Sequence, residues 1–264
     1  MRWASSGLLL LFAVAGALAG CASEHIQQDV PPRVIDLGHS LAATDPTWSG
    51  TPTFSRTAEA TFDKDGYAAG RIDVLEHFGT HVDAPSHFAR SGLTVDQLTT
   101  DVLIRPGVCI NVSGKIPSHD DYAVTVDDIA AFETAHGRVP ADTIVFIATG
   151  WDSRWPDAAR YMNVRDGVKH FPGLSLEAAT LLARDRLVTA IGIDTPSIDV
   201  GTSTTFEAHG FTMSAGVYHI ENAARLTDLP ATGFTVTVAP MKIAGGSGAP
   251  ARVFAFLPAA SFNR

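Results

Sequence analysis

The chain has 264 residues, 45% of them hydrophobic, which is enough to build one large core or two small ones. Its 19 Lys and Arg stand against 28 Asp and Glu, for a formal charge of −9. No basic run is available to track a phosphate backbone, so the composition argues against nucleic-acid binding.

In chain order, Arg2 precedes the apolar run GLLLLFAVAGALAG, which is too short to span a bilayer comfortably and reads as a removable signal segment over residues 1–20. The following Leu18-Ala19-Gly20-Cys21 resembles the lipobox of bacterial lipoproteins, which implies a lipid on Cys21. That resemblance implies an exported protein held to a membrane through its lipid alone, facing the periplasm or exterior. Ala22 and Ser23 lack a retention aspartate, which favours the outer membrane in a Gram-negative host. Removing residues 1–20 takes away only Arg2, so 18 basic residues against 28 acidic ones leave −10. With Cys21 lipidated, Cys109 has no intrachain partner and reads as an inert buried thiol in GVCINV. The polar stretch ASEHIQQDVPP reads as a tether, so residues 21–32 are linker, His25 carries no function, and the folded domain is expected over 33–264.

The body reads as mixed α/β. VLIRPGVCINV (102–112), TIVFIATG (143–150) and TAIGID (189–194) are β-rich apolar runs, and TVDDIAAFETAHG (125–137) and LSLEAATLLARD (174–185) carry helical spacing. Ser175 is the expected N-cap of the second helix. GFTVTVAPMKI and ARVFAFLP alternate strongly around the Gly-rich AGGSGAP, which predicts a C-terminal hairpin.

The chemistry concentrates in HFGTHVDAPSHF, residues 77–88. His81 and Asp83 are two apart and share a face on a strand, with His77 on the same face if the strand continues. Pro85 must break the ladder, and His87 can swing back from the loop. Three histidines and an aspartate at this spacing point to a divalent metal, and imidazole with carboxylate and no thiolate suits Zn, Mn or Fe at an open site.

HFGTHVDAPSHF is similar to the His-x-Gly-Thr-His-x-Asp-x-Pro-x-His signature of the cyclase family, which includes bacterial kynurenine formamidases and isatin hydrolases. The similarity extends from VIDLGHSL (34–41) through ATGW (148–151) and FPGLSLEAATLLARDRLVTAIGIDTPSID (171–199) to HGFTMSAGVYHIENAARL (209–226). The resemblance implies an α/β, swivelling-type β/β/α domain with a mixed sheet, holding two Zn or Mn ions per chain and hydrolysing an amide, formamide or lactam of a small substrate. It assigns His81, Asp83 and His87 as ligands from the signature, with His209 and Glu221 as the distal pair. Glu221, where isatin hydrolase-like members carry glutamine, resembles the binuclear formamidase kind. His219 competes with Glu221 as a ligand.

One departure is that Ala89, Arg90, Ser91 and Gly92 stand where some members place a proton-accepting histidine. The base is then Glu221, His77 or the metal-activated water without a dedicated base. Asp194 resembles an acid near the site in the family, and its simpler reading is a loop cap at a strand end. Trp48, Phe62, Phe78 and Phe88 are candidates to wall a pocket for a flat ring. Homo-oligomers are expected by resemblance. The contrasting reading is a catalytically inactive, lipid-anchored binding or scaffold protein that keeps the fold, for which the missing histidine speaks.

Overall fold

The structure is a computed structural model that describes residues 33–258. The expected signal segment, Cys21 and the tether lie outside the described residues. The strands are β1 (Arg33–Asp36), β2 (Phe54–Ala60), β3 (Ala69–Val74), β4 (His81–Asp83), β5 (Ile104–Asn111), β6 (Ala123–Val124), β7 (Ile144–Ala148), β8 (Gly173–Leu174), β9 (Ala190–Ile193), β10 (Tyr218–Glu221), β11 (Phe234–Pro240) and β12 (Gly248–Leu257). The helices are α1 (Phe62–Asp65), α2 (Thr100–Leu103), α3 (Val126–His136), α4 (Ala158–Met162), α5 (Leu176–Thr180) and α6 (Glu207–Ser214).

The main sheet runs β1-β12-β11-β5-β7-β9-β10-β4, and β12 also pairs with β4, so the sheet closes on itself. The segment β5-β7-β9-β10 is parallel, and the remaining pairs are antiparallel. This is the mixed-sheet α/β domain that the resemblance implies. Every residue of β7 is buried, as expected of a parallel strand covered on both faces. Its side chains alternate between two cores. Val145 and Ile147 pack with helix residues Ile129, Phe132 and Leu182. Ile144, Phe146 and Ala148 pack with strand residues such as Val82, Ile220 and Val236. Cys109 belongs to the second core, where burial pushes its thiol up to about 12.

Local signals explain the helices. Thr125 Oγ1 accepts Asp128 N–H at 3.3 Å while Asp128 Oδ2 accepts Thr125 N–H at 2.8 Å, a capping box that starts α3. Ser175 Oγ accepts Ala178 N–H at 3.1 Å at the start of α5, and the expected helix continues past Thr180 as a π-type turn over Leu181–Asp185. At the expected strand 102–112, residues up to Leu103 are helical and β5 starts at Ile104.

The C-terminal hairpin forms with Thr235 opposite Phe256 and Pro240 opposite Ala251. The Gly-rich connection is shorter than expected, because Gly248, Ala249 and Pro250 already pair with Asp83, Val82 and His81. A Cβ on Gly248 would sit 2.5 Å from Val82 O and 2.6 Å from His77 Cε1. Only glycine admits this approach, and the approach is what closes the sheet beside the His-rich strand.

Candidate active site

β4 and β10 run antiparallel, with His81 opposite Glu221 and Asp83 opposite His219. Alternate residues share a face, so four polar side chains emerge on one side while Val82 and Ile220 enter the core on the other. His209 reaches the same point from α6, and His87 from the short 3-10 turn Pro85–His87. His77 is not on the strand as expected. β4 begins only at His81, after Gly79 turns the chain at φ +61°. His77 Nδ1 nevertheless lies 2.5 Å from Asp83 Oδ1, and its ring stacks on His87 at 3.9 Å.

The two carboxylates divide their oxygens. Asp83 Oδ1 and Glu221 Oε2 lie 3.1 and 3.7 Å from His81 Nε2. Asp83 Oδ2 and Glu221 Oε1 lie 3.4 and 3.1 Å from His209 Nε2. Each imidazole is aimed by a hydrogen bond on its far nitrogen, a common device in metal sites. His81 Nδ1–H donates to Gly79 O at 2.9 Å, and Gly79 O is itself held by Asn222 Nδ2 at 2.8 Å. His209 Nδ1–H donates to Asp199 Oδ2 at 2.6 Å, while Ala208 N–H and His209 N–H donate to the same carboxylate. Asp199 therefore caps α6 and orients His209 at once. The sequence reading missed it, although it sits in the quoted GIDTPSID. Asp194, in the same stretch, takes the loop-cap role, accepting from the backbone N–H groups of Thr149, Gly150 and Trp151.

The electrostatics are those of a buried charged cluster. Burial alone would lower His81, but the charges of Asp83 and Glu221 carry it up to about 9. His209 is likewise held well above its ordinary range by Asp199, Asp83 and Glu221 against burial. Asp83 is held well below the usual carboxylate range, because the histidines around it outweigh its burial. Glu221 is raised, by burial and by the charge of Asp83. Burial and its histidine neighbours bring His87 down to about 4, despite Asp83, so its ring is neutral at pH 7.

The donor set fits a divalent metal. Asp83, His209, His219 and Glu221 offer ligand atoms within 4.8 Å of one another, as do His77, Asp83 and His87. The His77 ring is held from both sides. Ser247 Oγ–H donates to Glu76 Oε2 at 2.7 Å, so His77 Nε2–H donates to Ser247 Oγ at 3.0 Å. His77 Nδ1 faces Asp83 Oδ1, close enough for the two to share a proton.

A cavity of about 310 Å³ opens over the cluster, and Trp48, Phe88 and Phe206 line it. Their rings make one wall, with Phe206 5.9 Å from Trp48 and 5.8 Å from Phe88. Two aromatic candidates do not line the cavity. Phe78 is buried and stacks on Phe54 at 5.5 Å, pointing away from its neighbours His77 and Gly79. Phe62 is 71% exposed on α1, in the connection of the β2–β3 hairpin. Phe206 was missed, since its place on the wall follows from the turn into α6, which it enters at φ +52°.

The Cyclase family model matches residues 35–200. Isatin hydrolase of Roseibium aggregatum is 30% identical over 262 residues, covering 92% of this chain and 98% of its own length. Kynurenine formamidase of Salinibacter ruber is 28% identical over 227 residues, covering 83% and 95%. Among solved structures, isatin hydrolase A from Labrenzia aggregata, bound to benzyl benzoate, superposes with TM-score 0.81 at 33% identity, covering 86% of this chain and 94% of that one. By the family match and the extent of these similarities, the chain belongs to the cyclase family and is a hydrolase homologous to isatin hydrolase and kynurenine formamidase.

Proposed function

We propose that the protein is a metal-dependent hydrolase that opens an amide, formamide or lactam C–N bond of a small aromatic compound, using two divalent ions, Zn or Mn. The observation that carries this reading is the division of the Asp83 and Glu221 oxygens between the His81 and His209 sides of one buried cluster. His81, Asp83, His87, His209 and Glu221 would hold the ions, with His77 beside them. When bound, such ions acidify water and polarise a carbonyl oxygen.

The chain's own residues supply the rest. Trp48, Phe88 and Phe206 form an apolar wall of mutually tilted rings that holds an aromatic group over the carboxylates and limits water in the cavity. Gly79 O and Asp199 take the Nδ1 hydrogens of His81 and His209, which aims both Nε2 atoms inward. His77 Nδ1, against Asp83, is placed to hold a proton and pass it through Nε2 to Ser247 and on toward Glu76. That chain of contacts offers a route for a proton without the histidine absent at positions 89–92.

Substrate class is supported by the relatives' names, isatin hydrolase and kynurenine formamidase, and by the aromatic wall. Glu221 leans toward the formamidase kind, although the identity to isatin hydrolase is slightly higher. Elemental analysis of the soluble form beginning at Ala22, followed by isatin, an aryl formamide and a simple anilide as substrates, tests the reading. About two equivalents of metal and metal-dependent turnover of one of these compounds are expected. A metal-free, inactive protein after reconstitution would replace the reading with the binding or scaffold module. Export with a lipid on Cys21 and homo-oligomer formation belong to the same proposal. The mass of the N-terminal peptide and light scattering of the soluble form check them.

A further inference from the structure

His219 lies on β10 two residues before Glu221, so strand periodicity sends both side chains to the same face. The register places His219 directly opposite Asp83, and its side chain is 0% exposed. Its hydrogen bonds determine which ring nitrogen is bare. Thr212 Oγ1–H donates to Ala208 O at 2.6 Å, so the lone pair of Thr212 Oγ1 accepts Nε2–H of His219 at 2.7 Å. Nδ1 of His219 is then a buried lone pair, and it has no hydrogen-bond partner. Asp83 Oδ2, across the strand pair, is 4.0 Å away. That separation is too long for a hydrogen bond, so Nδ1 is left open toward the cluster. A buried imidazole nitrogen left unpaired carries the cost of its lost hydration, unless something outside the protein completes it. The same nitrogen shares a sphere of 4.8 Å with ligand atoms of Asp83, His209 and Glu221.

We propose that His219 is a sixth protein ligand of this metal site, binding through Nδ1 the ion that Asp83 Oδ2 and His209 hold. The proposal rests on the reading that the site carries metal. It gives this chain a nitrogen-richer half-site than the family signature supplies, with the His219 ring locked from behind by Thr212.

The test uses the soluble form beginning at Ala22, labelled with 15N-histidine, stripped of metal and titrated with Zn²⁺ while long-range proton–nitrogen correlations report each ring. The His219 resonance is assigned by its disappearance in His219→Gln, or in His219→Asn if the first variant does not fold. Nδ1 of His219 is expected to leave the position of a bare ring nitrogen at the same zinc equivalent that moves Nε2 of His209. The variant should bind that zinc ~10–100-fold more weakly. A loss of that size also follows from damage behind a ligand, so the nitrogen shift decides. If His81 and His209 shift while His219 does not, the sixth ligand is refuted and the metal site stands. If no histidine responds to zinc, the proposal falls together with the metal reading.

Discussion

The β4–β10 pair and the β2–β3 hairpin are both antiparallel two-strand units, yet they treat polar side chains in opposite ways. In β2–β3 only Ala60 is buried across both strands, and the Glu59–Arg71 ion pair is 49% and 73% exposed. Exposed pairs of that kind are worth ~0–1 kcal/mol, because water screens them. In β4–β10 every residue is buried, and the same kinds of group shift one another's protonation strongly. Local structure is shared. What differs is that β12 and β9 flank the second pair and α6 covers it, which removes the water and turns charges into chemistry.

The sharpest way to break the contrast is Asp83→Asn, which removes charge from the centre of the cluster while keeping its shape. Metal content should collapse, and turnover should fall by at least the ~10²–10³ that loss of one transition-state contact costs. Elemental analysis and kcat measure both, and an active, metal-loaded variant would refute the site. Asp199→Asn leaves the ligands in place but loosens the aim of His209, so metal affinity should drop ~10–100-fold, read by competition with a chelating dye. Gly248→Ala presses a Cβ between Val82 and His77 and should destabilise the protein by about 1–3 kcal/mol, read by urea unfolding.

The pH response sharpens the comparison further. The folded-state value of His81, about 9, lies above its ordinary 6.5. Its stabilising charge is therefore fully present below pH 6.5 and lost as pH rises through about 9. Melts of the metal-free protein should show Tm falling across that window, while metal affinity rises across it because bare imidazole is the ligand. A flat Tm would show that the cluster is not holding these protons. At the small end, Phe62→Ser on the exposed hairpin should change stability by no more than ~0.5 kcal/mol and leave KM unchanged. Trp48→Ala, on the cavity wall, should raise KM without lowering metal content.

Much of the site was legible because its residues are close in sequence. His81 and Asp83 obey the period-2 rule, and His87 follows a proline that forces a turn. His77 shows the limit, because the strand face was extended back through Gly79, whose positive φ ends it. The aromatic candidates divided for a related reason. Nearness in sequence to the motif does not say which side a ring takes, so Phe88 faces the cavity, Phe78 faces Phe54, and Phe206 arrives from more than a hundred residues away. Asp199 went unnoticed because an acid ten residues before a histidine means nothing until a helix start brings them together. The hairpin of β11 and β12 was readable from alternation. That its far end would close the sheet on β4 was not, since pairing partners leave no mark in a local pattern.

The chain's local patterns carried the main β-rich runs, two helices with the Ser175 cap, the donor residues of the motif and the family resemblance, because hydrophobic period, turn chemistry and residue type are local properties. Packing alone sets how the two carboxylates divide their oxygens, leaves His219 Nδ1 without a partner, and stands His219 opposite Asp83. Those depend on the register of strands β4 and β10, which are 135 positions apart from Asp83 to Tyr218, and on the exclusion of water. Register and burial are properties of the packed molecule, where the closed sheet leaves each buried polar atom one set of neighbours.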